Sequence, residues 1–419
     1  MRKLSWLLFV IAAVIMLSAC GNSSSDSSTD TETSSEGDTI KIGTILPLSG
    51  ASAQLGENSK KAIDMAVEEI NEAGGIKALG GKKLEIVYAD SQGDPPTGVS
   101  EAERLLSDPE IVLLNGAWQS GVTLPASEVA ERNGKIWIAP VPSEDSITER
   151  GFKYVFRLAD TSTMRVAAQI AFLKDLNKIE PIKTVAVLYE NTAWGTGVAD
   201  TWKEELPANG FEIVLAEGYD GNAADLTPVA TKVKNVNPDV VLMVSYLKDA
   251  TLLTNAFVQQ KVTPKAFIGT SGGYADAEYL KNVGTNALNF FDVAAWESDV
   301  NRPFSPEVNN KFKEKYGHDM NGEMVKEYVA IYTIADALER AGTTESEALR
   351  EAFASTSITE GPTQMYASEI HFDETGTLPD PGLVIVQFQE VDGEMQRVTV
   401  YPFADAREGA ELVYPYQPK

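Results

Sequence analysis

Short β-type runs alternate with amphipathic helices along most of this chain, and that alternation restricts the fold more than any single motif. Ile40, Ile42 and Ile45 fall in one such run, which ends at the turn Pro47-Leu48-Ser49-Gly50. Ala62, Ile63, Ala66, Val67 and Ile70 then recur at helical spacing, which predicts one apolar helix face, and Gly74-Gly75 stops it. Leu84, Ile86 and Tyr88 alternate as a strand should. A helix is expected over 101–106, a buried strand over 111–114 before Asn115-Gly116, a helix over 122–132 and a strand over 135–139, ended by Pro140. A second series repeats the rhythm, with strands over 184–189, 212–216, 239–244 and 266–269 and helices near 198–206, 226–236 and 252–260. Such a pattern demands parallel sheets covered by helices on both faces. Two series imply an α/β protein with two doubly wound domains. Ligands of such folds bind beyond the carboxyl ends of the strands. The loops after Leu114, Ala139, Tyr189, Val244 and Gly269 are therefore the places to look for function.

The roughly 400 residues after position 19 exceed what one core serves and suit two domains of ordinary size. Ahead of them stands a basic start, Met1-Arg2-Lys3, an apolar segment over 4–16, and the small residues Ser18 and Ala19. The apolar segment is too short to span a bilayer comfortably and reads as a secretory signal over 1–19. Leu17-Ser18-Ala19-Cys20 resembles the bacterial lipobox, in which the Cys becomes the lipidated first residue of the mature protein. Cys20 has no other Cys to pair with. The plainer alternative is an ordinary cleaved signal that happens to contain a Cys. Residues 21–38 read GNSSSDSSTDTETSSEGD, with no residue able to build a core, and are expected to form a disordered tether. As a flexible coil such a segment reaches roughly 23 Å. The net charge of −26 (35 basic and 61 acidic residues) argues against nucleic acid and against a folded body lying on anionic lipid. Any membrane attachment is expected through the Cys20 anchor alone.

Catalytic chemistry finds little material. His318 and His371 are the only histidines, neither lies in metal-ligand spacing, and one Cys cannot build a thiolate site, so no metal is expected. Gly269-Thr270-Ser271-Gly272-Gly273 matches G-x-S-x-G after a strand, as a nucleophile elbow would, and His371 lies downstream. A surface serine esterase using Ser271 and His371 is therefore the alternative reading. Against it, 272–276 looks like a loop rather than the start of a helix, and no HGGG-like segment precedes it. No Walker sequence and no G-x-G-x-x-G is present, so no nucleotide cofactor is expected. The stronger signal is Gly116-Ala117-Trp118-Gln119-Ser120-Gly121-Val122-Thr123. Ser120 stands where a strand has ended and a helix begins, and unpaired N–H groups there attract an anion without Arg or Lys. Ser143, after Ala139-Pro140-Val141-Pro142, has the same post-strand position. As simple caps, both serines would do no more than satisfy N–H groups.

From about Ile40 onward the chain resembles the solute-binding proteins of ABC importers with the type I fold, most of all the leucine/isoleucine/valine and amide binders. The resemblance is carried by residues 42–50 (IGTILPLSG), 66–76 (AVEEINEAGGI), 148–151 (TERG), 155–157 (VFR) and 372–376 (FDETG). It implies two doubly wound lobes, 39–161 with 296–377 and 162–295 with 378–419, joined by three hinge crossovers and closing on a solute. It also implies a monomeric, extracytoplasmic, non-catalytic receptor that passes its solute to membrane permease subunits. By the same resemblance Ser120 occupies the carboxylate-binding position and Ser143 the hydroxyl beside it, while Trp118, Gln119, Val141, Trp194 and Tyr246 line the pocket. Three positions depart from the amino-acid binders. Leu55 replaces an aromatic residue, Ser271 replaces the glutamate that pairs the substrate ammonium, and Glu323 stands at an aromatic position as a candidate replacement carboxylate.

Overall fold

The first apolar run becomes strand β1 (Thr39–Leu46) in the computed structural model, which describes residues 39–418. The signal, Cys20 and the tether lie outside the described residues. Six further strands follow the expected rhythm: β2 (Lys83–Asp90), β3 (Ile111–Gly116), β4 (Trp137–Ala139), β5 (Val155–Arg157), β6 (Thr184–Glu190) and β7 (Glu212–Tyr219). Then come β8 (Val240–Val244), β9 (Ala266–Gly269), β10 (Phe291–Ala294), β11 (Ser357–Ile358), β12 (Ile370–His371), β13 (Val384–Val391) and β14 (Glu394–Tyr401). Parallel strands buried on both faces read as continuous apolar runs, and β3 and β8 are buried at every residue.

Two large sheets result. One has the order β2-β1-β3-β4-β5; the other runs β14-β13-β10-β9-β8-β6-β7. Within the second, β7-β6-β8-β9-β10 is parallel and repeats the strand order of the first. In each sheet the order reverses at one point, between β1 and β3 and between β6 and β8, where loops diverge and leave a crevice. Side chains alternate between two helix layers, as the period of a strand requires. Val240, Leu242 and Val244 of β8 pack with Val166, Ile170 and Trp202, whereas Val241 and Met243 pack with Val233, Leu253 and Phe257. Around the first sheet, Ile42 and Leu46 join the helices Ala53–Glu72 and Gly322–Ala341, and Ile45 joins Ala102, Val122 and Ala126 on the other face.

The hairpin β13–β14 was not read as strand from the sequence, and it makes the second sheet mixed, because both β13 pairings are antiparallel. Its turn is Asp392-Gly393, both residues at positive φ (54° and 84°). That dipeptide suits the tight turn whose twist matches two antiparallel strands.

The chain passes between the sheets three times: after β5, after β10, and between β12 and β13. At the first passage four buried charges close a ring. Asp160 accepts from Arg165, in a bidentate pair whose Nη2–Oδ1 distance is 3.2 Å, and from Lys326 Nζ at 3.2 Å. Glu323 lies 2.5 Å from Lys326 and 3.6 Å from Arg165. Arg165 sits on the helix Ser162–Ile179, which packs on the second sheet, while Glu323 and Lys326 open the helix packed on the first. Each charge has two opposite neighbours and the sum is zero. Removing one partner from such a set leaves an uncompensated buried charge, which costs roughly 3–5 kcal/mol. Lys326→Met is therefore expected to lower stability by about 3 kcal/mol in urea unfolding, and Lys326→Met with Asp160→Asn, neutral again, to recover part of the loss. A single variant within ~0.5 kcal/mol of the parent would show that the ring does not hold the halves.

Candidate functional site

The loop after β3 is built around a close approach. At Gly116 (φ 130°) a Cβ would lie 2.2 Å from the Ile45 carbonyl oxygen of the neighbouring strand, so only glycine fits. The Trp137 indole N–H donates to the Gly116 carbonyl at 2.9 Å. The Thr123 hydroxyl accepts from the Ala117 N–H and donates to the Gln119 carbonyl, both at 3.0 Å. Thus pinned, the loop aims Trp118 into the space between the sheets and starts the helix Ser120–Arg132 there. The first N–H groups of that helix have no carbonyl within it to accept them. Ser120 is buried, and its hydroxyl accepts from the Glu144 N–H at 3.2 Å, which draws the loop after β4 alongside. Ser143 is fixed by its carbonyl, which accepts from the Ser162 N–H at 2.7 Å.

The second sheet supplies the opposite wall. Trp194 opens the helix Ala193–Ala208, and Tyr246 follows β8. The Tyr246 ring centroid lies 5.1 Å from Trp194 and 6.0 Å from Trp118, and Tyr246 packs against the cores of both sheets. Gly272 (φ 58°) seats Trp194, since a Cβ there would meet the indole at 2.4 Å. Together Trp118, Ser120, Val141, Pro142, Ser143, Arg165, Trp194, Tyr246, Gly272 and Glu323 line one small space. Two of its lining residues carry unsatisfied donors: the buried indole N–H groups of Trp118 and Trp194 have no hydrogen-bond partner among the described residues. Buried donors are rarely left so.

Seven of the ten residues expected to bind ligand therefore line one cavity: Trp118, Ser120, Val141, Ser143, Trp194, Tyr246 and Glu323. Gln119 faces an adjoining, larger space. Leu55 lines neither cavity; it is packed in the core of the first sheet, where an apolar residue on the buried face of its helix belongs. Ser271 is buried and donates its hydroxyl to Glu323 at 2.8 Å, while its N–H donates to Asp292 at 2.6 Å. A nucleophile needs its hydroxyl on a base. Ser271 is followed by a 3₁₀ turn over Gly272–Ala275, and His371 pairs with Ser357 in a separate two-stranded sheet with its ring 3.9 Å from Glu369. The esterase reading thus finds no support in the geometry.

Arg165 escaped the sequence reading. The signal was a polar stripe, Ser162, Arg165 and Gln169, at helical spacing on a helix that is otherwise apolar where buried. Its Nη1 donates to the Thr270 carbonyl at 2.9 Å, which orients the guanidinium along the cavity floor. Burial pushes the Glu323 carboxyl up, but Lys326 and Arg165 outweigh burial and hold it below the ordinary range. Glu323 is thus an ionised carboxylate already matched by two cations and a hydroxyl. Two other buried carboxyls behave oppositely. Burial pushes Asp249 up to about 8, aided by the Glu190 charge and opposed by Tyr219. Burial likewise pushes Glu327 up to about 8, against the amide of Asn115.

With this geometry in hand, comparison with known proteins is informative. Residues 39–392 match the family model described as periplasmic binding protein. The Leu/Ile/Val-binding protein homolog 7 of Brucella suis is 31% identical over 377 residues, spanning 88% of this chain and 92% of that one. The substrate-binding protein LivJ of Streptococcus pneumoniae, solved with isoleucine, superposes with a TM-score of 0.74 at 22% identity, covering 86% of this chain and 99% of that one. A Rhodopseudomonas palustris solute-binding protein solved with 3,4-dihydroxybenzoic acid gives 0.75 at 22%, covering 86% and 96%. The structural likenesses establish the shared type I fold, with its α/β architecture of parallel sheets.

The raised carboxyls generate a stability prediction. In the unfolded chain Asp249 and Glu327 titrate near their ordinary value of ~4. Folded, they keep their protons to about pH 8. Between these limits the native state holds protons that the unfolded state has released, so stability falls as pH rises. Glu323 and Asp160, depressed when folded, contribute stability that is lost only below that window. The thermal midpoint is expected to be higher at pH 5 than at pH 8, and Asp249→Asn with Glu327→Gln to flatten the difference. A midpoint rising from pH 5 to pH 8 would contradict this assignment.

Proposed function

The chain belongs to the periplasmic binding protein family, and from that premise we propose that it is the extracytoplasmic solute receptor of an ABC importer. It captures a small carboxylate-bearing solute, a hydrophobic amino acid, an amide or an aromatic acid, and delivers it to permease subunits in the membrane. Capture proceeds by closure of two lobes, 39–161 with 296–377 and 162–295 with 378–419, about the three passages between the sheets. Cys20 carries the lipid anchor, residues 21–38 are the leash, and the receptor works as a monomer.

One observation carries this reading: Trp118 and Trp194, one from each side of the cleft, both bear unpartnered indole N–H groups and line the same small space as the start of the Ser120 helix. All of these favour an anion, and Ser120 and Ser143 add hydroxyls. Among the described residues lining this space, Glu323 is the one carboxylate, and Arg165, Lys326 and Ser271 already engage it. An α-ammonium would compete with those partners. The inner cavity therefore favours a carboxylate without an adjacent amine, such as an aromatic or aliphatic acid. That the Rhodopseudomonas protein of the same fold was solved with a benzoic acid is in keeping with this choice.

Calorimetric titration with aliphatic acids, benzoates, amides and amino acids tests the reading, and scattering with the tightest binder should show contraction. Ser120→Ala is expected to weaken that binder about tenfold, the size of one lost hydrogen bond to a charged group. Trp118→Phe, which keeps the ring and deletes the N–H, should weaken it severalfold. Unchanged affinity in both variants would move the carboxylate elsewhere.

A further inference from the structure

Residues 271–276 follow β9 of the second sheet, and three side chains from the other half hold them. The Ser271 hydroxyl donates to Glu323 at 2.8 Å. The Asn321 amide donates to the Ala275 carbonyl at 3.2 Å, and the Asn58 amide donates to Asp276 Oδ2 at 3.2 Å. Asn321 caps the helix Gly322–Ala341, Glu323 lies in its first turn, and Asn58 lies on the helix Ala53–Glu72. Both helices pack on the first sheet. All five side chains in these contacts, those of Asn58, Ser271, Asp276, Asn321 and Glu323, belong to buried residues.

The three contacts differ in their place relative to the passages between the sheets. Glu323 belongs to the charged ring at the first passage. Asn321 stands beside the second: a Cβ on its neighbour Gly322 would lie 3.1 Å from the Trp296 backbone nitrogen. Asn58 stands on the helix that follows β1, and no passage enters or leaves that helix. Rotation about a pivot moves nearby groups little and distant groups most.

The Asn58–Asp276 pair is held in a defined orientation on both sides. Asp276 uses Oδ1 to cap the helix Ala277–Val283, accepting from the Glu278 N–H at 2.8 Å, which leaves Oδ2 for Asn58. Asn58 Oδ1 accepts from Gln54 at 3.1 Å and from Lys61 Nζ at 3.2 Å. An ammonium only donates, so Lys61 fixes the amide with its NH₂ toward Asp276. Lys61 Nζ also lies 3.3 Å from His318 Nε2. Burial pushes the Asp276 carboxyl up, while the Glu278 N–H and Asn58 oppose the rise. Neither Asn58 nor Asp276 lines the tryptophan-walled space or its larger neighbour.

We propose that Asn58 and Asp276 form a latch, made when the two halves close and broken when they part. This rests on the closure proposed above and is independent of which solute is held. In the parted arrangement water satisfies both groups. In the closed one, loss of the Asn58 donor leaves a buried carboxyl oxygen unsatisfied, so the cost falls on closure alone. Because the latch touches no solute, it strengthens the binding of every solute by one common factor.

The test compares the intact wild-type chain with Asn58→Asp, which sets a second carboxyl against Asp276 only on closure. A third protein carries the exchange Asn58→Asp with Asp276→Asn, which restores an amide–carboxyl pair in reverse and keeps a residue able to cap the helix. In scattering without added solute, Asn58→Asp is expected to be more expanded than the wild type, and the exchange to return toward the wild-type radius. Equal radii for wild type and Asn58→Asp, or an exchange as expanded as the single variant, would overturn the latch. Titration with benzoate and with isoleucine gives a second readout. Asn58→Asp should weaken whichever binds about tenfold, by the same factor where both do, and the exchange should recover most of it. Unchanged affinity would overturn the latch. Binding of neither compound by the wild type would count against the carboxylate reading, while scattering still decides the latch. Asn58→Ala, which only deletes the donor, should shift both readouts the same way and stands in if Asn58→Asp does not fold.

Discussion

A closed ring of two carboxylates and two cations, Asp160, Arg165, Glu323 and Lys326, joins the structural halves at the floor of the cleft. Much else depends on it. Isolated buried ion pairs seldom stabilise a fold, because desolvation offsets the attraction. A ring differs, since every charge meets two opposite partners and no lone pair of ions must repay the whole cost. Its consequence for the cavity is chemical. Glu323 and Arg165 both line the inner space, yet their charges cancel within the ring. What remains to act on a guest is directional: helix-start N–H groups, hydroxyls and two indoles.

The aromatic wall depends on backbone as much as on rings. Trp194 reaches its place because Gly272 leaves room for it, and Glu190 holds the turn that aims it. Trp118 reaches its place because Gly116 lies against the Ile45 carbonyl. Tyr246 touches both tryptophans and both cores. A rigid frame holding unsatisfied donors supplies preorganisation, so little ordering is left to be done when a solute arrives.

The sequence revealed the fold where strands were long and apolar. Ala266–Gly269 emerged with the expected boundaries, and Ile111–Gly116 differed by two residues, because a strand buried on both faces writes an uninterrupted apolar run. Val384–Tyr401 was missed, since its second strand is only half buried and includes Glu394, Gln396 and Arg397, which dilute the pattern, although Asp392-Gly393 marks the turn plainly. Ser120 and Ser143 stood out by their place after a strand and Trp118, Trp194 and Tyr246 by the resemblance, and all five line one space. Arg165 did not stand out, because it sits inside a helix after a passage between sheets, where spacing alone does not show which partner it meets. Leu55 was assigned to the cavity by resemblance to the amino-acid binders, and it packs in the core of the first sheet. Asp249 was invisible for a related reason: an acid in the first turn of a helix normally faces water, whereas this one is buried and accepts from the Tyr219 hydroxyl.

The surplus of acidic residues bears on how such a receptor holds an anion at all. With 61 acids and 35 bases, the surface repels a carboxylate at long range. Salt at physiological strength screens that repulsion beyond about 8 Å, so the guest is opposed only weakly until it enters the cleft. Inside, the balance reverses, because hydrogen bonds from fixed donors strengthen as water is excluded. On the proposed reading, capture of an anion would thus be a property of a closed, dry arrangement in which Tyr246 packs against both Trp118 and Trp194. In an open cleft the same donors would be satisfied by water and would offer little to distinguish one acid from another.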